Sequence, residues 1–261
     1  MRKISQCVQS GNETVDAYQT IDAINEAGFD GVFIQWYDKD WTPSQQERLD
    51  YCRKQGLEIV FAHLGYSHIN DIWLEGEVGE RVTEEYIKNL DECKENGIDL
   101  VVMHLSSKKE PPQPNELGVK RFQRIVDYAE KLGIRIAIEN TRKRGYLEYV
   151  FDRITNKNLG FCFDSGHYHC HFKDELDWER FRGRIWAVHL HDNDGSDDQH
   201  LLPFDGTLNW EKTMDKLKEY GYTGPVTLES CYRYDYLKED VKKFYKESFS
   251  RGKVIREMLD N

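Results

Sequence analysis

The feature that most constrains this chain is a repeated alternation of short apolar runs with longer amphipathic stretches. The runs Ile4–Val8, Gly31–Gln35, Leu57–Ala62, Ile98–Met103, Ile134–Ile138, Gly160–Phe163, Ile185–Leu190 and Pro225–Leu228 read as buried parallel strands. Helical spacing is predicted between them over Val15–Ala27, Pro43–Gln55, Glu80–Glu95, Glu116–Lys131, Trp210–Tyr220 and Leu237–Leu259, most of these stretches ending at a glycine ahead of the next strand. Eight strand–helix units in 261 residues match the size of a single α/β domain, a (β/α)8 barrel over residues 1–261. A doubly wound open sheet is the alternative, but no GxGxxG turn follows any strand. The Pro-rich segment Pro111–Pro114 reads as a rigid loop, because the alternation resumes after it.

Polar residues fall at a particular place in this pattern. Gly160–Phe163 runs into Asp164, with His167 three residues on. An unpaired carboxylate is costly at a buried strand end, and a divalent ion offsets that cost. The competing reading makes Asp164 the cap of a following helix and His167 its satisfied neighbour. The other strands argue for the ion: His63, His104, Glu139, Asp164, His189 and Glu229 each lie at the C-terminal tip of a different strand. In a parallel barrel those tips converge on one face. His167, with Asp198 and His200 in the loop DNDGSDDQH, falls on the same face, although that loop alone also reads as a solvated acidic turn. The nine candidate ligands suit one to three ions. Mixed carboxylate and imidazole fits Zn2+ or Mn2+, and Co2+, Mg2+ or Fe2+ are compatible.

Composition narrows the function classes. A net charge of −11 opposes a protein whose partner is nucleic acid or an anionic membrane. No apolar segment approaches a membrane span, and MRKISQCVQS lacks the apolar core of a signal peptide, so a cytoplasmic protein is expected. The six cysteines are scattered without a CxxC pair and read as reduced thiols.

On the endings IAIEN and VTLES and the runs DSGH and HLHDND, the sequence resembles the xylose isomerase-like TIM-barrel superfamily, which includes sugar and sugar-phosphate isomerases and epimerases and endonuclease IV. The resemblance covers essentially the whole chain. It implies one metal held by Glu139, Asp164, a strand-seven histidine and Glu229. His189 is favoured as that histidine because Asp192 completes the usual His-x-x-Asp pattern; His191 then faces the substrate or lies behind the ligands. The endonuclease IV branch adds ligands matching His63, His104, His167, Asp198 and His200, and a tyrosine matching Tyr66. The charge, the HLHDND loop and the Trp-rich IQWYDKDW stretch resemble the small-sugar branch instead. The frequent GEG motif is here Phe204-Asp205-Gly206, which leaves that glutamate's substrate contact unassigned.

The resemblance implies proton transfer through an enediolate, with Glu139 and Glu229 as metal ligands and acid–base pair. Trp36 and Tyr66 would cover the sugar, and Arg142 would hold a sugar phosphate. Two other activities remain open: an endonuclease IV-like multinuclear zinc phosphodiesterase, for which Lys108, Lys109, Arg142, Lys143 and Arg144 offer a thin basic groove, and a metal-dependent dehydratase of a polyol such as inosose. A binding protein that keeps the ligands without catalysis is a further class. The final helix has apolar positions for the barrel or for a second copy in a homo-oligomer.

Overall fold

The computed structural model describes residues 1–8, 15–36 and 42–261, with backbone alone at 234 and 235. Its eight strands are β1 (Ile4–Val8), β2 (Gly31–Trp36), β3 (Glu58–Leu64), β4 (Leu100–Met103), β5 (Arg135–Glu139), β6 (Leu159–Asp164), β7 (Ile185–His189) and β8 (Val226–Leu228). All pair in parallel, in the order β7-β6-β5-β4-β3-β2-β1-β8. Just past β7, Leu190 bridges Leu228, its N–H donating to Thr227 O at 2.9 Å while Glu229 N–H donates to Leu190 O at 3.0 Å. That bridge joins the two ends of the sheet. The fold is a single (β/α)8 barrel.

Among the described residues eight α-helices surround it: α1 (Ala17–Ala27), α2 (Gln45–Lys54), α3 (Glu77–Glu95), α4 (Glu116–Leu132), α5 (Gly145–Phe151), α6 (Ser165–Cys170), α7 (Trp210–Glu219) and α8 (Val241–Asp260). Side-chain caps explain several boundaries. Asp16 and Ser44 form capping boxes with Gln19 and Glu47, so α1 and α2 begin two residues later than periodicity suggests. Asp240 caps α8, and the stretch read as one helix from Leu237 splits into a 3₁₀ turn over Tyr234–Lys238 and α8. The helices α5 and α6 have seven and six residues, too short to show a helical period in sequence.

Strand parity organises the interior. Phe33, Phe61, Val102, Ala137, Cys162 and Ala187 form the inner cluster of the barrel. Side chains alternate sides along a strand, so the next inward position lies two residues on. That position carries Gln35, His63, His104, Glu139, Asp164 and His189 respectively. On β8, Thr227 is buried against Ser5, their hydroxyl oxygens 3.0 Å apart, and two residues later comes Glu229. One ring of apolar side chains therefore supports a ring of polar ones at the C-terminal rim.

The same parity removes Trp36 from that rim. It follows Gln35 and so points outward, into the layer between sheet and helices. There its indole is 1 % exposed, and Nε1 donates to Glu92 Oε2 on α3 at 3.0 Å. The expected contact between Trp36 and substrate is not met. Residues 37–41 of the Trp-rich stretch lie outside the described residues.

Candidate active site

Glu139 is the hub of the rim. Its Oε2 lies 3.1 Å from His63 Nε2, 3.1 Å from His104 Nε2 and 3.2 Å from His189 Nδ1. Its Oε1 lies 3.0 Å from His167 Nδ1. His189 Nδ1 is also 3.5 Å from Glu229 Oε2 and 3.8 Å from Asp164 Oδ2. On the loop side, Asp198 Oδ2 is 3.1 Å from His200 Nε2 and 3.3 Å from His167 Nε2. The structure thus brings all nine candidate ligands into one connected cluster. Tyr66 joins it, its ring stacked on His104 with centroids 4.3 Å apart.

His191 does not face the cavity. It is fully buried, Nε2 is 3.1 Å from Asp164 Oδ2, and its ring stacks on His200 at 4.0 Å between centroids. Gly166 makes room for it, since a Cβ at that residue would lie 1.9 Å from His191 Cε1. Expected as a substrate contact or as a residue behind the candidate ligands, His191 does not line the cavity, and its ring nitrogen stands among the possible ligand atoms of Asp164, Glu229, Asp198 and His200. Arg142 does line the cavity and makes one long pair, 3.8 Å to Asp197. Of the other cations read as a groove, Lys108 lines the cavity, whereas Arg144 pairs with Glu175 at 2.9 Å.

Backbone clamps hold these side chains, and local sequence gives no sign of them. The Asn140 amide spans Asp164, donating to its carbonyl at 2.9 Å and accepting from its N–H at 2.8 Å. Asn193 donates to Gly166 O at 2.9 Å, and Ser165 Oγ bonds both backbone groups of His191. Asp192 is 1 % exposed and accepts from four donors, among them the backbone N–H groups of Phe204 and Leu208 and the Trp210 indole. Those bonds fix the loop that presents Asp198 and His200. Asp164 also caps α6, accepting from His167 N–H at 2.6 Å. Capping and a place in the cluster therefore coexist.

The charges are strongly coupled. Burial works against ionising Glu139, yet His104 and His189 hold its carboxyl well below the usual range. Burial likewise opposes charge on Asp198, and His200 and His167 override it. Conversely, burial disfavours protonated His167, His189 and His200, but the surrounding acids push all three well above the ordinary histidine value. His104 moves down, because burial outweighs its attraction to Glu139. Three buried carboxylates, with the half-buried Asp198 beside them, favour positive charge, and among the described residues protonated imidazoles face them.

A divalent metal fits that demand. His189 Nδ1, His167 Nδ1 and Asp198 Oδ1 are buried without a hydrogen-bond partner, although oppositely charged atoms lie 3.0–3.9 Å away. His63, His104 and His200 pair directly with carboxylate oxygens at 3.1 Å, whereas these unpartnered atoms keep lone-pair capacity for an ion. Four trios bring their ligand atoms within 4.8 Å of one another: His63/Glu139/His189, Glu139/Asp164/His167, Asp164/His191/Glu229 and His191/Asp198/His200. The cluster floors a cavity of about 260 Å3 whose wall includes Gln35, Ser106, Ser107, Thr141 and Arg233. Sequence reading missed Gln35 and Arg233; strand parity from Phe33 identifies the first.

Fold and rim together define a (β/α)8 protein with a carboxylate–imidazole centre at the C-terminal face. The profile of the xylose isomerase-like TIM barrel matches residues 21–252, and the chain belongs to that family. An uncharacterised protein of Methanocaldococcus jannaschii is 35 % identical over 151 residues, covering 52 % of this chain and 50 % of that protein. An inosose isomerase of Halalkalibacterium halodurans is 24 % identical over 121 residues, covering 40 % and 42 %. The chain spans about half the length or less of the curated relatives it matches. Among solved structures, D-psicose 3-epimerase with D-tagatose from Clostridium cellulolyticum H10 superposes with a TM-score of 0.75 at 15 % identity, covering 98 % of this chain and 99 % of that one. A D-tagatose 3-epimerase-like protein gives 0.75 at 22 % identity, covering 99 % and 97 %. At these identities the likeness establishes the fold. Among the described residues no helix is long and apolar enough to cross a membrane.

Proposed function

We propose that this protein is a metal-dependent isomerase or epimerase of a sugar or sugar phosphate. One observation carries the reading: Glu139, Asp164, His189 and Glu229, from the ends of four successive strands, converge on one point, with His189 Nδ1 within 3.2–3.8 Å of all three carboxylates. The names of similar proteins, sugar 3-epimerases and an inosose isomerase, agree with it. In this reading the four side chains hold one divalent ion. When bound, the ion polarises the substrate carbonyl and acidifies the adjacent C–H.

The protein's own residues then move the proton. Glu139 and Glu229 line the cavity from β5 and from the end of β8, and in this reading they would flank the bound sugar. Glu139 is held ionised by its imidazole neighbours, the form a base requires. One glutamate removes the proton next to the carbonyl, leaving an enediolate. If that same glutamate delivers the proton to the neighbouring carbon the product is an isomer; if the other glutamate delivers a proton of its own to the opposite face the product is an epimer. Tyr66 stacked on His104 supplies an aromatic wall.

Ketoses, their phosphates and inosose incubated in D2O with metal-loaded protein test this reading by NMR. Deuterium is expected at the carbon beside the carbonyl of at least one substrate. Glu139→Gln and Glu229→Gln should each lower that turnover by about 10²-fold or more while the fold survives. Full activity in either variant refutes the acid–base pair.

A second reading has its own observation. His63 and His104 both reach Glu139 Oε2, and His167, Asp198 and His200 form a further set, enough for two more ions. That set supports an endonuclease IV-like multinuclear zinc phosphodiesterase. Elemental analysis separates the readings: two or three zinc ions per chain with cleavage of an abasic-site duplex favour the nuclease. Under the second reading Asp198→Ala lowers the metal count, and an unchanged count removes the loop pair from the ligands.

A further inference from the structure

We propose that the outer wall of the cavity is a subsite for a phosphate monoester, formed by Ser107 and Lys108 after β4 with Arg142 after β5 and Arg233 after β8. The subsite would hold the phosphoryl group of a sugar phosphate while its carbonyl end faces Glu139 and Glu229. The inference rests on the sugar-transforming reading above and selects the phosphorylated class of substrate.

Charge is the first argument. The chain carries a net −11, yet three cations line one cavity. Lys108 is exposed and, among the described residues, makes no ion pair. Arg142 makes only the 3.8 Å pair to the exposed Asp197. Arg233 is anchored at the mouth by donating to Asp198 O at 3.1 Å. Lys108 without an ion pair, beside Arg142 held only by that long pair, suits an anionic substrate group at this wall.

Preorganisation is the second. Asn70 clamps the Ser107 backbone from both sides, its Nδ2 donating to Ser107 O at 2.9 Å and its Oδ1 accepting from Ser107 N–H at 2.9 Å. With its backbone fixed, Ser107 keeps Oγ buried and without a hydrogen-bond partner. Buried hydroxyls are normally satisfied, so this one has capacity for a ligand oxygen. The next residue, Lys108, holds φ at +66° in the left-handed region, an unfavourable placement for lysine that turns the loop at this wall. Thr141 and Ser106 add hydroxyls beside it. A terminal phosphate offers several acceptor oxygens to such donors, whereas a free sugar offers no charge to the cations. A cavity of about 260 Å3 in an acidic protein suits a small monoester better than a polyanionic duplex.

The test compares matched pairs, a ketose and its phosphate monoester, on metal-loaded wild-type, Lys108→Gln, Lys108→Arg and Ser107→Ala proteins, by calorimetry and by turnover. The monoester should bind about tenfold or more tightly than the free ketose. Lys108→Gln should erase most of that difference without altering the free ketose, Lys108→Arg should restore it, and Ser107→Ala should weaken the monoester alone. Equal binding of both sugars by wild type, or an equal loss for both in Lys108→Gln, overturns the subsite. If no sugar is turned over, the isomerase reading fails, and titration with inorganic phosphate still decides this one: Lys108-dependent binding sustains it and Lys108-independent binding overturns it. Lys108-dependent binding of abasic-site duplex in preference to the monoester also overturns it.

Discussion

Replacing Asp192 by asparagine preserves its shape and removes two of its four accepted hydrogen bonds. In the native protein Oδ1 accepts from Asn193 N–H at 2.9 Å and Leu208 N–H at 3.1 Å, while Oδ2 accepts from Phe204 N–H at 3.0 Å and the Trp210 indole at 2.8 Å. An asparagine oxygen can serve one pair, but its NH2 group then confronts the other two donors. Each bond to a carboxylate contributes about 1.5–3 kcal/mol, and the site is 99 % shielded, so water cannot replace what is lost. Allowing for relaxation of the loop, Asp192→Asn should destabilise by about 3 kcal/mol, a Tm drop of roughly 6–12 °C for a domain of this size. Thermal and urea unfolding followed by circular dichroism measure it. A double-mutant cycle with Trp210→Phe isolates the indole bond and should give a coupling of about 1 kcal/mol or more. The variant should also bind less metal at the Asp198–His200 loop, because Asp192 and Asn193 shape that loop. A loss below about 1 kcal/mol, or strict additivity with Trp210→Phe, refutes the view that Asp192 organises it.

Trp36→Phe should leave KM and kcat for any substrate unchanged while lowering stability by about 2–4 kcal/mol, since the indole bond to Glu92 is lost and the smaller ring leaves a cavity in the core. A raised KM would return Trp36 to the substrate. The pH dependence of stability should differ between metal-stripped and metal-loaded protein. His167, His189 and His200 have raised values in the folded state, so their contribution is complete below the ordinary 6.5 and is lost as pH rises through those raised values. Glu139, Asp164 and Asp198 are depressed, so theirs is present above the ordinary carboxylate range and lost as pH falls. The stripped protein should therefore be most stable on the acid side of neutrality. Metal takes the place of the imidazole protons, so the Tm gain on loading should grow from about pH 6 to about pH 9. A gain that shrinks over that range refutes the ligand assignment for these histidines.

What sequence could and could not reveal follows from the range of each constraint. A strand alternates every two residues whatever it packs against, so the apolar run before each rim residue already carries its orientation. His63, His104, Glu139, Asp164, His189 and Glu229 were legible for that reason, and the same count, Phe33 to Gln35, places Trp36 on the outer face. The Trp36 contact came from the family resemblance, whereas parity turns that side chain away from the rim. The His189 ligand assignment came from the family pattern, and parity from Ala187 supports the inward direction independently. His191, two residues further on, is past the strand end, where backbone bonds to Ser165 set its direction instead. Beyond the strand ends nothing periodic remains, and long-range pairing takes over. Asn140 finds Asp164 across 24 residues, Asn70 finds Ser107 across 37, and Asn193 finds Gly166 across 27. Each is an ordinary asparagine in sequence and a backbone clamp only once two neighbouring loops lie side by side. The rim is thus encoded locally, strand by strand, whereas its rigidity comes from contacts between loops that only the closed barrel brings together.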